Sequence, residues 1–341
     1  MIRLVVTDLD NTVYDWLDSH VPAFEAQVAE MVRLTGLGED ELLGSYRRVH
    51  QRVHTSEYAY AFLELDVLDE LDAGLPPRER LNRYGSALIA YREEHLRRLA
   101  LYEGAQETLM ALRERGVMVV AHTDAMMFYA SLRVSILGLA PLLDGLFAPA
   151  NHPWPESVRP PFAELFGDRA TRRSSVEIQE EFPRHLLKPD PEVLWRILRH
   201  FDVAPEEALY VGDSLAKDVR VAQSAGVHDV HAEHGLSIGS PLYERLVAVT
   251  HWSAEDVRRE RQLSEERVTP TARIGAYREL LEVIEELDAG PAAYSGRDSE
   301  HSYAAGDLSG PPVARARHLR SALTAGPRAP ERQRMEVPAP R

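Results

Sequence analysis

The sequence predicts an α/β protein whose core is a doubly wound, Rossmann-like, mostly parallel sheet, with an all-helical domain inserted after the first strand. Four short apolar runs, at 3–7, 117–122, 146–150 and 208–211, lack the polar alternation of half-exposed strands. Helical patterns lie between the later runs. Continuous apolar strands that alternate with helices are typical of parallel sheets covered on both faces.

The stretch from 15 to 100 has a different pattern, which predicts helices only. Phe24 and Val28 are four residues apart, as are Tyr84 and Leu88, and no convincing strand interrupts this spacing. Apolar residues three or four positions apart share one face of a helix. Because this block follows the first strand directly, we interpret it as a domain inserted into the α/β core.

Helix signals accompany the later strands. A helix that precedes the second strand ends at Gly116. Another begins with Asp190 at its N-cap and Pro191 at its first position, where the missing N–H costs nothing. A third helix ends at Gly226, and we expect an edge strand at 247–250 after it.

These elements divide the chain into segments of different character. They are the α/β core at 1–14 and 101–261, the helical insertion at 15–100, a further insertion at 151–187, a C-terminal helical extension at 262–287 and a tail at 288–341. The interval 151–187 is longer than an ordinary connection, and we interpret it as a candidate second, smaller lid. The extension carries an amphipathic helix at 272–287. The composition of the tail predicts disorder.

Composition and charge narrow the class of protein. Hydrophobic residues make up 44% and charged residues 27%, and no run approaches the roughly 18 apolar residues of a membrane helix. The start lacks the parts of an export signal and the chain has no cysteine, so we expect a cytoplasmic protein that does not bind membranes. A net charge of −15 disfavours binding to nucleic acid, which depends on lysine and arginine. A small anionic substrate therefore needs positive charge within its site.

Polar groups follow the predicted strands at the point where each strand ends. Asp8 and Asp10 follow the first strand, Thr123 the second, and Asp213 the last of the four runs. Ligands of open α/β sheets bind at the carboxyl ends of the strands. Lys188 stands just before a helix N-terminus, where positive charge and free N–H groups favour an anion. The sequence therefore predicts one site at this edge.

The order of these motifs resembles that of the haloacid-dehalogenase-like (HAD) superfamily, in its phosphatase branch with a helical cap. The motifs are Asp-x-Asp-x-Thr at 8–12, a strand-end threonine at 123, Lys-Pro-x-Pro at 188–191, and Gly-Asp-Ser at 212–214 with Asp218 shortly after it. The helical insertion stands where this family places its larger cap domain. The stretch 8–14 looks nearest to pyrimidine nucleotidases and flavin-mononucleotide phosphatases.

The resemblance implies a hydrolase that cleaves phosphoric monoesters through a phospho-aspartate on Asp8. Asp10 is then the general acid that protonates the leaving group and the base that activates water. Lys188 and Thr123 are the implied holders of the phosphoryl oxygens. Relatives that remove halides do not need a proton donor at the second aspartate, so Asp10 favours phosphoryl transfer.

The resemblance also implies a magnesium ion. Mg²⁺ prefers hard oxygen ligands, and the implied metal residues are Asp8, the backbone carbonyl of Asp10, Asp213 and, just outside these ligands, Asp218. One position departs from the family pattern, because Asp124 follows Thr123 where relatives often have asparagine. An additional carboxylate at that position weakens phosphate binding unless it is paired or turned away.

Several functions remain open at this point. The leading interpretation is a phosphomonoesterase for a small phosphorylated metabolite, such as a nucleoside monophosphate, flavin mononucleotide or a sugar phosphate. A phosphotransferase or mutase uses the same intermediate but returns the phosphoryl group to another hydroxyl. A non-catalytic phosphate-binding module on the same fold is the third alternative. The sequence predicts no oligomeric state and does not identify the substrate, because selectivity depends on the insertions.

Overall fold

The computed structural model describes residues 1–151, 176–236, 239–253, 255, 257–258, 262 and 268–290. Within these residues the core is a parallel sheet of seven strands in the order β4-β3-β2-β1-β5-β6-β7. The strands are β1 (Leu4–Thr7), β2 (Met118–His122), β3 (Gly145–Pro149), β4 (Ile178–Phe182), β5 (Ala208–Gly212), β6 (His228–Ala232) and β7 (Ala272–Ile274). The predicted α/β core with a parallel sheet is confirmed.

Helices cover both faces of the sheet and fill the block between β1 and β2. They are α1 (Trp16–Thr35), α2 (Glu39–Val53), α3 (Leu68–Leu71), α4 (Pro77–Arg98), α5 (Ala105–Glu114), α6 (Met127–Ile136), α7 (Glu192–Phe201), α8 (Arg220–Ala225), α9 (Pro241–Val249) and α10 (Leu280–Ala289). In the described part of the chain no helix has the length and apolar character to cross a bilayer.

The central strand β1 shows why this sheet must be covered on both faces. Val5 packs on one face in a cluster with Leu109 of α5, while Leu4 and Val6 pack on the other face with Ile197 of α7. Leu4, Val5 and Val6 are completely buried. Full burial of each apolar side chain contributes about 1.5–3 kcal/mol, so a charge at any of these positions would destabilise the fold.

The helical block has an apolar core of its own, and we call residues 15–100 the cap. Phe24 of α1, Tyr46 of α2 and Tyr84 of α4 are buried in a cluster separate from the clusters of the sheet. The side chain of Asp15 accepts a hydrogen bond from the Asp18 N–H across 2.9 Å and starts α1. The described residues of this block contain helices and no strand, as the sequence predicts.

Helix α9 corrects one prediction, because residues 247–250 form the end of a helix and no edge strand. Ser240 caps this helix, its hydroxyl accepting from the Tyr243 N–H across 3.1 Å. Leu246 packs against Leu17 and Val21 of α1. The apolar residues of α9 recur with a helical period because one face of this helix packs against the cap. Helix α9 therefore attaches the cap to the core.

The segments 262–287 and 151–187 also differ from expectation. The predicted helix at 272–287 is divided: β7 pairs with β6 and ends before Gly275, and α10 begins at Leu280. The C-terminal extension is therefore partly sheet. The interval 151–187 contributes the edge strand β4, paired with β3. The rest of the predicted second lid, 152–175, lies outside the described residues, as does 291–341 of the predicted tail.

Candidate active site

The carboxyl ends of β1, β2 and β5 meet at one cavity of about 410 Å³. It is lined by all six predicted site residues, which are Asp8, Asp10, Thr123, Lys188, Asp213 and Asp218. Because neighbouring parallel strands end at the same edge, residues far apart in sequence converge here. The structure thus brings the predicted site residues together.

Asp8 is the first residue after β1 and is held on both carboxylate oxygens. Its Oδ1 lies 2.6 Å from Nζ of Lys188, and its Oδ2 accepts a hydrogen bond from the Thr12 hydroxyl across 3.3 Å. Asn11, with φ of 59°, reverses the chain between these residues. Burial raises the pKa of Asp8, while the Lys188 ammonium opposes this shift.

Lys188 joins two carboxylates in the interior of the site. Its ammonium lies 2.6 Å from Asp8 Oδ1 and also 2.6 Å from Asp218 Oδ1, and its side chain is 3% exposed. Burial opposes the charged form of a lysine, but these two carboxylates outweigh it and hold the pKa of Lys188 well above its usual range. The lysine is a fixed positive charge where a phosphate would need one.

The turn after β5 positions Asp213 and Asp218. Oδ2 of Asp218 accepts a hydrogen bond from the Ser214 N–H across 2.9 Å, at the start of a single π-helical turn. Gly212 is required at the end of the strand, since a Cβ there would collide with the Asp218 side chain. Burial, together with the charges of Asp218 and Asp8, raises the pKa of Asp213 well above its usual range.

The carboxylates of Asp8, Asp213 and Asp218 fit a divalent cation. One oxygen from each lies within 4.8 Å of the others. Hard carboxylate oxygens are the ligands that Mg²⁺ prefers, and a cation would relieve the repulsion that raises the pKa of Asp213. Among the described residues Asp213 forms no ion pair, whereas both oxygens of Asp218 already accept hydrogen bonds.

Thr123 and Asp124 occupy the end of β2. The Thr123 hydroxyl accepts from the Ala125 N–H across 3.1 Å and borders the cavity. Oδ1 of Asp124 accepts from the Lys188 backbone N–H across 3.1 Å, and Oδ2 lies 3.3 Å from the Lys217 ammonium. Burial raises the pKa of Asp124, but the two lysines outweigh it and hold the value below its usual range. The Asp124 carboxylate, which departs from the family pattern, is therefore paired.

A group that the motifs do not include surrounds Asp10. Arg133 of α6 is 1% exposed, and its Nη2 lies 3.2 Å from Asp10 Oδ2. Its Nη1 pairs with Glu57 of the cap, and its Nε donates to the Tyr14 hydroxyl across 2.9 Å. Sequence analysis missed these residues, because an arginine on an amphipathic helix is usually solvated. The only sequence signal is that Arg133 follows Tyr129 by one helical turn, on the buried face.

The cavity has three walls, which come from different parts of the chain. The core supplies the carboxylates and Lys188. The cap supplies Trp16 and residues 54–57, and the segment after β6 supplies Tyr243 and Trp252. The backbone of Gly235 lies so close to the carbonyl of Asn11 that a side chain there would collide with it. A ligand above Asp8 would therefore be enclosed on more than one side.

The fold and this site define a class: an α/β protein with clustered carboxylates and a buried lysine at the carboxyl edge of a parallel sheet. The model of the haloacid dehalogenase-like hydrolase family matches residues 2–226, and the chain belongs to that family. The predictions of a HAD-like hydrolase and of its fold are confirmed.

Several relatives have the names of phosphatases. A glyceraldehyde 3-phosphate phosphatase of Methanopyrus kandleri is 27% identical over 238 residues, which cover 69% of this chain and 85% of the relative. A phosphoglycolate phosphatase of Pseudomonas syringae pv. tomato is 26% identical over 260 residues, covering 75% and 78%. A crystal structure of a predicted phosphoglycolate phosphatase from Haemophilus somnus 129PT has 16% identity and a TM-score of 0.45, with 83% of this chain and 98% of that chain covered.

Proposed function

We propose that this chain is a magnesium-dependent phosphomonoesterase that acts on a small phosphorylated metabolite through a phospho-aspartate on Asp8. The observation that carries the proposal is the position of Lys188, whose ammonium lies 2.6 Å from both Asp8 and Asp218. A nucleophilic carboxylate must approach a phosphate that is itself negative. The buried ammonium offsets part of that repulsion.

Asp8 is the nucleophile. Hydrogen bonds from Lys188 and Thr12 fix its carboxylate at the end of β1, where the cavity begins. One of its oxygens attacks phosphorus in line, so that a bond from Asp8 to phosphorus forms while the ester bond to the leaving oxygen breaks. Fixing the carboxylate beforehand reduces the entropy lost on reaching the transition state.

Asp10 transfers the proton in both halves of the reaction. Its carboxyl group protonates the leaving oxygen in the first half, and its carboxylate then accepts a proton from the water that attacks phospho-Asp8. This water releases phosphate and restores Asp8. Burial raises the pKa of Asp10 although Arg133 opposes this shift, which favours the protonated form needed in the first step.

The remaining residues hold the phosphoryl group and the metal. Lys188 and the Thr123 hydroxyl bind phosphoryl oxygens, and Asp8, Asp213, the Asp10 carbonyl and the neighbouring Asp218 make up the magnesium site. When bound, Mg²⁺ supplies positive charge that stabilises the phosphoryl oxygens in the transition state. Support for this assignment comes from the three clustered carboxylates and from the family of the chain.

The substrate that we propose is a small metabolite. The names of the relatives include glyceraldehyde 3-phosphate and phosphoglycolate phosphatases and, for a match over 54 residues that covers 16% of this chain, a phosphoserine phosphatase. Nucleoside monophosphates and flavin mononucleotide remain candidates because of the stretch 8–14. The absence of cysteine supports a cytoplasmic location, which is part of the same proposal.

The test is release of inorganic phosphate from a panel of phosphorylated metabolites in the presence of Mg²⁺. Asp8→Asn is the inactive comparison, and Asp40→Asn, an exposed carboxylate of α2, is the matched control. Free phosphate from the wild type and the control supports a phosphomonoesterase. An isomerised or newly phosphorylated acceptor would indicate a phosphotransferase. No turnover of any substrate would reject the proposal in favour of a binding module.

A further inference from the structure

Arg133 is the largest fully buried side chain of the described residues, and its surroundings are ionic. It is 1% exposed and contacts two carboxylates and one phenol, from Asp10, Glu57 and Tyr14. A charged side chain is almost never completely buried unless it is paired, because leaving water costs several kcal/mol. The contacts of this arginine therefore decide whether the surrounding structure is stable.

The guanidinium connects three separate parts of the chain. It belongs to α6 of the core, its Nη2 contacts Asp10 in the loop after β1, and its Nη1 contacts Glu57 in the cap. Glu57 is also held by the Trp16 indole, whose Nε1 donates across 2.9 Å to Oε1, the same oxygen that Nη1 of Arg133 contacts. The planar fork of arginine makes such multiple contacts directional. A change in the position of the cap therefore changes the environment of Arg133.

The same contacts fix the orientation of Asp10. Its Oδ2 is held by Nη2 of Arg133 across 3.2 Å, and Nε of the same guanidinium donates to the Tyr14 hydroxyl across 2.9 Å. Its Oδ1 is buried and has no hydrogen-bond partner among the residues described here, although Asp10 borders the cavity. One oxygen is thus anchored by Arg133, and the other has no hydrogen-bond partner in the described part of the chain. Rotation of this carboxylate would exchange their positions.

The charges of the group are balanced between core and cap. Burial opposes ionisation of Glu57, but the Arg133 guanidinium outweighs it and holds the pKa of Glu57 below its usual range. Two carboxylates thus share one guanidinium. If Glu57 moved away with the cap, Arg133 would have Asp10 as its only carboxylate partner among the described residues.

We propose that Arg133 is a positioning residue for Asp10, and that its pairing with Glu57 makes this positioning depend on the cap being seated on the core. The inference rests on the proposed function, in which Asp10 carries the proton. It assigns to Arg133 no contact with the substrate. Closure of the cap and alignment of Asp10 then occur together. Asp10 is therefore not aligned for a substrate that does not bring the cap onto the core.

The experiment measures how kcat/KM depends on the leaving group. A series of substituted phenyl phosphates is hydrolysed in the presence of Mg²⁺, from acidic phenols that leave without help to weakly acidic phenols that need a proton. The quantity kcat/KM reports the steps up to formation of phospho-Asp8, so it is insensitive to the later use of Asp10 as a base. Asp10→Asn gives the reference response to loss of the proton donor.

The variants separate positioning from stability. Arg133→Met removes the guanidinium and leaves the carboxylates of Glu57 and Asp10 without this cation. The loss of pairing can unfold the chain. Arg133→Met combined with Glu57→Gln removes one of these charges with little change of shape and keeps the test usable. Arg133→Lys is the conservative variant. Ser135→Ala is the matched control on α6, because it removes an exposed hydroxyl that donates to the Ser131 carbonyl of the same helix and leaves the cap and Asp10 untouched.

We expect the double variant to lose activity selectively. Its kcat/KM for the most acidic phenol should stay within about threefold of the wild type, and that for the least acidic phenol should fall about a hundredfold, since general acid catalysis is typically worth about a hundredfold to ten-thousandfold. Glu57→Gln alone should show a smaller change of the same kind, and should add nothing when Arg133 is already absent. Ser135→Ala should keep the wild-type dependence.

Other outcomes would overturn the inference. An equal loss for all phenols would show that Arg133 only supports the fold, and a wild-type dependence in the folded double variant would show that Asp10 is aligned without it. Additive losses from Glu57 and Arg133 would reject the link to the cap. If Asp10→Asn itself left the dependence unchanged, the proposed function of Asp10 would fail instead, so the two failures are distinguishable.

Discussion

The backbone N–H of Lys188 donates a hydrogen bond to the carboxylate of Asp124 across 3.1 Å. Asp124 is the residue at which the sequence departs from its family, and its charge was expected to weaken phosphate binding unless it is paired. The structure shows that it is paired with Lys188 and Lys217. The carboxylate orients the lysine that holds Asp8.

Replacing Asp124 tests this role. Asp124→Ala should raise KM by about tenfold, because a hydrogen bond of a charged group contributes about 1.5–3 kcal/mol and its loss frees the Lys188 backbone. Asp124→Asn keeps an acceptor for that N–H and should change KM by less than about threefold. Steady-state kinetics on the best substrate of the panel checks both values. A lower KM in the alanine variant would mean that repulsion by Asp124 dominates.

Removal of magnesium should abolish turnover and should also lower stability. Asp213 is half-buried beside Asp8 and Asp218, and desolvation together with their charges raises its pKa, so a cation bound there stabilises the folded chain. At a Mg²⁺ concentration about 100-fold above its dissociation constant we expect the melting temperature to rise by roughly 5 °C. Thermal denaturation with and without chelator measures this increment.

The matched pair for the magnesium experiment is Asp213→Asn and Asp202→Asn. The first removes a proposed ligand and should lose the increment in melting temperature. The second changes an exposed carboxylate at the end of α7 and should keep it. Equal increments in the two variants would place the magnesium site elsewhere.

Asp8→Asn and Asp10→Asn should fail at different steps. An amide at position 8 is a poor nucleophile, so covalent labelling by the substrate and turnover should both disappear. An amide at position 10 keeps the nucleophile, and it should slow turnover about a hundredfold or more while the phospho-enzyme accumulates. Rapid quenching followed by mass measurement of the intact chain detects the adduct. Labelling of the Asp8→Asn variant would identify another nucleophile.

Acid should destabilise the cap through His50. This side chain is buried in α2, its Nδ1 lies 2.8 Å from the Val249 carbonyl, and burial lowers its pKa from 6.5 to about 4. Above pH 6.5 the histidine is neutral in both the folded and the unfolded chain. Below this value the unfolded chain binds a proton that the folded chain does not, so stability falls until pH reaches about 4.

The expected size of this effect at pH 5 is about 2 kcal/mol relative to pH 7. His50→Gln removes the titrating group and should reduce the pH dependence of the free energy of unfolding by that amount. His185→Gln, at an exposed position, is the control and should retain the wild-type dependence. Urea denaturation at the two pH values gives the comparison. An unchanged dependence in His50→Gln would mean that His50 is accessible to protons in the folded chain.

Two truncations distinguish the contribution of α10 from that of the residues after it. Removing 291–341 should leave the melting temperature and turnover nearly unchanged, because the composition of this segment predicts too little apolar burial to offset ordering. Removing 280–341 also deletes Leu280, Val283 and Ile284, which are buried in the main core. Loss of each large buried side chain costs about 2–5 kcal/mol, so this chain should not fold. Circular dichroism during heating measures both.

The sequence was sufficient to predict the central strands, because their burial on both faces leaves continuous apolar runs. It was insufficient for strands at the periphery. β4 carries Gln179, Glu180 and Glu181 at the sheet edge, where solvent satisfies polar side chains, and β6 also contains polar residues. A short apolar run such as 247–250 fits either a strand or a helix, so the sequence does not decide between them. Burial of Val249 against the cap favours the helix.

The same contrast holds for the site. Asp8, Lys188 and Asp213 follow strands or precede a helix, positions from which the sheet topology alone brings them together. Arg133 has no such positional signal, since its partners Asp10 and Glu57 are distant in the chain and belong to different elements. Only the packing of the cap on α6 makes that contact, and the helical spacing of Arg133 from Tyr129 indicates no more than a position on the buried face.

Helix α9 has a consequence for the evolution of substrate range. Tyr243 and Leu246 line the cavity and also pack against Leu17 and Val21 of the cap. A substitution that reshapes the cavity at these positions therefore changes the attachment of the cap as well. Substitutions at these two positions therefore change substrate range and thermal stability together. A new selectivity would have to be accompanied by compensating changes on α1.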